Sequence, residues 1–182
     1  MKLLIASDIH GSLYYCEKLI EKFNNEQADL LILLGDYLYH GPRNPLTKEY
    51  NPKEVAHLLN QYKDRIIAVR GNCDSEVDQM VLEFPIMESY TQLIVDNYSF
   101  FLTHGHQYHQ DKLPFVRPNM VLLSGHTHIP VLEVKHDLIL VNPGSLSLPK
   151  ENHPNTYGIY ENGRFLIKTL DNEVYKELEL IR

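Results

Sequence analysis

Lys2-Leu3-Leu4-Ile5-Ala6-Ser7-Asp8-Ile9-His10-Gly11-Ser12 is the stretch on which the fold turns. An apolar run of strand length stops at a carboxylate, with an imidazole two residues on and then a glycine. A run bounded in this way reads as a buried strand. In open α/β sheets, ligands gather beyond the carboxyl ends of such strands. In an extended segment Asp8 and His10 project to the same side, where together they offer a divalent metal two donors. Taken alone, the stretch reads more readily as a polar turn with Asp8 capping the next helix. What the other strand ends carry decides between the two.

Downstream of Ser12, an N-cap type, Leu13, Cys16, Leu19, Ile20 and Phe23 recur at helical spacing until the polar run Asn24 to Gln27. Leu30 to Leu34 is a second apolar strand, closed by Gly35-Asp36. A crossover of this length implies parallel neighbours, which brings Asp8 and Asp36 to one edge of the sheet. Tyr37 to Asn51 reads as a long surface loop, and Pro52 opens a short amphipathic helix through Val55, Leu58, Leu59 and Tyr62. Ile66 to Val69 is a third strand, running into Arg70-Gly71-Asn72-Cys73-Asp74. Ser75 caps a short helix through Met80 and Leu82, halted by Pro85.

The later chain changes to hairpins. Thr91 to Val95 pairs with Ser99 to Thr103 around Asp96-Asn97, and the second strand ends in His104-Gly105-His106. Residues 107 to 120 read as loop with room for a short helix. Val121 to Ser124 is a buried strand closed by Gly125-His126-Thr127-His128. Further hairpins are expected over Val131 to Asn142 and Tyr157 to Leu170, then an edge strand carrying Val174, Leu178 and Leu180. Two mixed sheets should therefore lie face to face, with helices on the outer faces and the ligand candidates along one edge.

Composition fits one α/β domain spanning residues 1–182, with 43% hydrophobic and 23% charged residues. No apolar run approaches the roughly 18 residues of a membrane span. The N-terminal stretch does not read as a signal peptide, and two cysteines, Cys16 and Cys73, suit a reducing cytosol. A net charge of −7 argues against a long nucleic-acid footprint.

Five strand ends supply Asp8 and His10, Asp36, Asn72, His104, and His126 with His128. One Gly-His pair says little, since most histidines are structural. Five sets in this order point to a metal centre, too large for one ion and suited to two if Asp36 bridges. Mixed oxygen and imidazole donors favour manganese, iron, zinc or cobalt over calcium or magnesium. The expected chemistry is hydrolysis at two ions about 3.5–4 Å apart, with a bridging hydroxide attacking phosphorus in line.

The order Asp8-Ile9-His10, Gly35-Asp36, Gly71-Asn72, His104, Gly125-His126-Thr127-His128 resembles the calcineurin-like metallophosphoesterase superfamily over nearly the whole chain. His40-Gly41-Pro42-Arg43-Asn44, the run Arg70 to Asp78 and Asn142-Pro143-Gly144-Ser145 are similar to its small, cap-less YfcE branch of bacterial phosphodiesterases. The resemblance implies a four-layer α/β/β/α sandwich and two divalent ions, usually Mn2+, with Zn2+, Fe2+, Co2+ or Ni2+ as substitutes. It implies one ion on Asp8, His10, Asp36 and His128, and a second on Asp36, Asn72, His104 and His126. Many members carry histidine after the Gly-Asn pair to protonate the leaving group, where this chain has Cys73. A thiol is a weak donor, so the expectation is an easy leaving group, or an acid from elsewhere such as His106 or His40. Asp74 is expected to orient a ligand or its loop, and Arg43 is a candidate phosphate clamp. The function expected is cleavage of small phosphodiesters in the cytoplasm by a homo-oligomer, dimer or tetramer. The alternatives are a phosphomonoesterase and a non-catalytic protein-binding scaffold of the kind found in retromer.

Overall fold

The computed structural model describes residues 1–180. Two mixed sheets pack face to face with flanking helices, as the sequence predicts. The first sheet contains β1 (Lys2–Ala6), β2 (Leu30–Leu33), β3 (Ile66–Ala68), β9 (Thr156–Glu161), β10 (Arg164–Thr169) and β11 (Val174–Glu179). Its spatial order is β11-β10-β9-β1-β2-β3. Strands β1, β2 and β3 run parallel, and β9, β10 and β11 continue antiparallel, with β11 at the edge as expected. The second sheet has the order β4-β5-β6-β8-β7. It is built from β4 (Tyr90–Val95), β5 (Tyr98–Thr103), β6 (Met120–Leu123), β7 (Val131–Lys135) and β8 (Leu138–Asn142). Here β5, β6 and β8 are parallel.

The apolar runs are continuous because their strands are buried on both faces. In β1, Leu3 and Ile5 enter the core between the sheets, while Leu4 and Ala6 enter the core under the helices. Strand β6 divides likewise: Val121 and Leu123 face the other sheet, Met120 and Leu122 face outward. Each fully buried aliphatic side chain stabilises the fold by about 1.5–3 kcal/mol.

Helix α1 (Leu13–Asn25) covers the first sheet with Cys16, Leu19, Ile20 and Phe23. Its N-cap is Ser12, whose Oγ accepts from Tyr15 N at 3.3 Å; Asp8 has no capping role. Asn51 caps α2 (Pro52–Asn60), accepting from Glu54 N at 3.3 Å. Helix α3 (Glu76–Val81) is closed by Asp78 Oδ2, which accepts from Ser75 N and Oγ. It stops one residue short of the buried Leu82. Over the outer face of the second sheet, the segment 104–119 has no helix. Tyr108, Leu113 and Phe115 from that segment cover Phe101, Met120, Leu122, Leu138 and Leu140. Among the described residues no helix is long and apolar enough to cross a membrane.

Candidate metal centre

Strands β1, β2, β3, β5 and β6 all end at one rim, and each delivers its ligands there. The turn after β1 is not extended, contrary to expectation. Asp8 has φ 60° and His10 φ 49°, and they meet because the chain curls. Asp36 (φ 58°), His126 (φ 66°) and His128 (φ 62°) share this left-handed conformation. Each such residue costs about 1 kcal/mol, so the surroundings must impose it. Asp8 N donates to Gly35 O at 3.1 Å, His10 N to Asp36 O at 2.9 Å and Gly11 N to Tyr37 O at 2.9 Å. The hydroxyls of Ser145 and Ser147 both donate to Asp8 O, at 3.1 and 2.9 Å.

Asp74 ties the loops after β2 and β3 together. Its Oδ2 accepts from Asp36 N at 2.8 Å and Gly71 N at 2.6 Å, and its Oδ1 from Tyr37 N at 2.9 Å. Burial and then the charge of Asp36 push its carboxyl up to about 6, against the pull of those donors. The approach is close: a Cβ on Gly71 would collide with Asp36 Oδ1 and N, and one on Gly125 with Ser7 Oγ.

The imidazoles are fixed from behind. Nδ1 of His10 lies 2.8 Å from Tyr39 O, that of His104 2.7 Å from Leu34 O, and that of His128 2.5 Å from Leu148 O. A carbonyl only accepts, so Nδ1 carries a proton, and when the ring is neutral its Nε2 turns a lone pair forward. What those lone pairs face is other acceptors. His10 Nε2 is 3.4 Å from His128 Nε2 and 3.6 Å from both Asp8 Oδ1 and Asp36 Oδ2. His104 Nε2 is 3.0 Å from Asn72 Oδ1 and 3.5 Å from Asp36 Oδ2. Asp8 Oδ1 is buried without a hydrogen-bond partner, 3.1 Å from His128 Nε2. Acceptors converging without donors require protons or cations between them, so the donor set fits divalent metal.

Asp8, His10 and His128 form one group of donor atoms within 4.8 Å, and Asp8, Asp36 and His104 another. A third joins His10, Asp36 and Cys73. Asn72 joins through His104, and the His126 ring is centred 5.1 Å from that of His104. The seven expected ligands therefore share one rim.

Burial alone would raise the Asp8 carboxyl, but the His10 and His128 rings outweigh it and hold it well below the usual range. Burial would lower His104, but Asp36 and Asp8 raise it to about 9. Cys73 accepts from Asn72 Nδ2 at 3.3 Å, and its thiol is pushed up to about 12 by burial and by Asp36. His106 sits beside His104 and His126, ring centres 5.4 and 6.1 Å away. Burial and those two rings bring it down to about 4. His40 is wedged between Tyr39 and Tyr50 and does not line the cleft.

The cleft has a volume of about 280 Å³, and Arg43 and Lys150 are among its lining residues. Sequence reading missed Lys150, Ser147 and Tyr37. The Tyr37 hydroxyl bridges the ends of β2 and β3, 3.1 Å from Leu33 O and 2.5 Å from Val69 O. For Ser147 the Pro-Gly-Ser turn after β8 was the available signal; Lys150 and Tyr37 had none.

Residues 1–163 match the family model described as the calcineurin-like phosphoesterase superfamily domain. The chain belongs to that superfamily, and with it to a class of phosphoric ester hydrolases. More narrowly, it is similar to phosphodiesterase YfcE of Escherichia coli, 47% identical over 173 residues, 95% of this chain and 94% of the relative. A solved structure of YfcE, described as a phosphoesterase, superposes with a TM-score of 0.97 at 44% identity, covering 100% of both chains. A phosphodiesterase of Methanocaldococcus jannaschii is 32% identical over 153 residues, 79% of this chain and 83% of the relative.

Proposed function

We propose that this chain is a cytoplasmic, dinuclear phosphodiesterase that hydrolyses small phosphodiesters, with manganese as the preferred metal. The observation that carries the reading is the convergence of imidazole Nε2 atoms and carboxylate oxygens around Asp36, with Asp8 Oδ1 buried and unpartnered beside them. Asp8, His10, Asp36 and His128 would hold one ion, and Asp36, Asn72, His104 and His126 the other. Bound there, two divalent cations supply Lewis-acid charge to a phosphoryl oxygen and make water acidic enough to ionise near neutral pH.

The chain's own residues do the rest. Arg43 and Lys150, both lining the cleft, draw a phosphodiester anion into it. The net charge of −7 does not oppose this, because exposed charge is screened over about 8 Å at physiological salt. Asn72 Nδ2 donates to Cys73, which turns Oδ1 toward His104. A general acid works best with a pKa near the working pH. The Cys73 thiol, near 12, and His106, near 4, both lie far from it. The leaving oxygen therefore departs with little protonation, which favours substrates with acidic leaving groups. The names of the two relatives support diesters over monoesters. Seven competent ligands at one rim support catalysis over a scaffold role. Assembly as a dimer or tetramer belongs to the same reading and rests on family resemblance alone.

The test is hydrolysis of bis(p-nitrophenyl) phosphate with manganese. Wild type should turn over, and Asp36→Ala should lose at least about a hundredfold in kcat/KM while keeping its circular dichroism. Wild-type rates in that variant would refute the assignment.

A further inference from the structure

Beside the metal cleft lies a second, open pocket of about 670 Å³. Leu38 and Ala56, each 4% exposed, are among its lining residues. Tyr39, Tyr50, and Val77 and Val81 of α3 line it as well. Cys73 lines both cavities, and its Sγ belongs with His10 and Asp36 in one group within 4.8 Å. A phosphorus atom held over Asp36 is thus one side chain away from an apolar recess. Tyr39 strengthens the link: its carbonyl fixes His10, and the same residue lines the pocket.

Helix α3 has no buried residue, and Val77 and Val81 are 68% and 49% exposed. Apolar side chains left on a wall of a cavity this size, with two tyrosines, are the usual lining of a small-molecule site. Resting on the phosphodiesterase reading, we propose that this pocket takes one ester arm of the substrate. The arm is flat and aromatic, so the enzyme prefers phosphodiesters carrying an aryl or nucleobase-like group.

The experiment compares methyl phenyl phosphate with dimethyl phosphate as competitors of bis(p-nitrophenyl) phosphate hydrolysis by the manganese-loaded enzyme. Both are diester monoanions and differ only in one arm. The phenyl compound should bind about tenfold tighter or more. Val81→Asp, or Val77→Asp should the first fold poorly, should bring the ratio below about threefold while the dimethyl constant changes little. Equal constants in wild type, or an unchanged ratio in the folded variants, would overturn the proposal while leaving phosphodiester hydrolysis standing. Sedimentation of the same variants covers the competing occupant. If wild type is an oligomer that Val81→Asp dissociates with the ratio unmoved, a second copy covers this face and the proposal is overturned. Absence of any diester hydrolysis by wild type would sink the underlying reading itself.

Discussion

Cys73 sits where proton donation would matter most and is poorly suited to it, with a thiol near 12. Rates across a series of aryl phosphodiesters should therefore fall steeply as the leaving phenol becomes less acidic. Cys73→Ser should stay within about threefold of wild type on the nitrophenyl diester. Cys73→His should flatten the series and raise the slowest members by about a hundredfold, the usual scale of general-acid catalysis. A hundredfold loss in the serine variant would instead make the thiol the acid. At this scale the sequence was informative about donor type and silent about donor setting. Asp8, His10, Asp36, Asn72, His104, His126 and His128 were recognisable because each follows an apolar run. The left-handed backbone that aims five of them was not, since extended and curled turns share the same letters. Lys150 follows no strand directly, and a lone lysine carries no pattern.

The elements meet at contacts where only hydrogen atoms fit. Gly71 lies directly against Asp36, so the loop after β3 can seat only if residue 71 has no side chain. Gly71→Ala should push Asp74 off the amides of Asp36 and Gly71. We expect a destabilisation of about 1–3 kcal/mol, read from urea unfolding, with activity lost by at least a hundredfold. Full activity with a normal midpoint would show that the loop can yield. The parallel strands were readable because strands buried on both faces leave unbroken Val, Leu and Ile runs. The cover over the second sheet was not. Tyr108, Leu113 and Phe115 lie in an irregular segment, and only periodic spacing distinguishes a helix in sequence.

For the molecule as a whole, the rim couples pH to stability. His104 is raised from 6.5 to about 9 in the folded chain. Without metal, that proton stabilises the fold fully below pH 6.5, and the contribution is lost as pH rises through 9. Asp74, raised from 3.8 to about 6, acts in the same direction lower down: its contribution is present below 3.8 and gone above 6. Metal needs the deprotonated imidazole, so it stabilises most where the proton stabilises least. The gap in Tm between manganese-loaded and EDTA-treated protein should widen from pH 6.5 to 9. A constant gap would separate His104 from metal binding.

The pairing of β1 with β9 and the grip of Ser145 and Ser147 on Asp8 carry a consequence for biosynthesis. All seven donors have been synthesised by residue 128, yet the central strand still lacks one neighbour and its turn lacks both hydroxyls. Productive cation capture therefore waits for the last third of translation, and a truncated polypeptide would carry every ligand without the means to aim them.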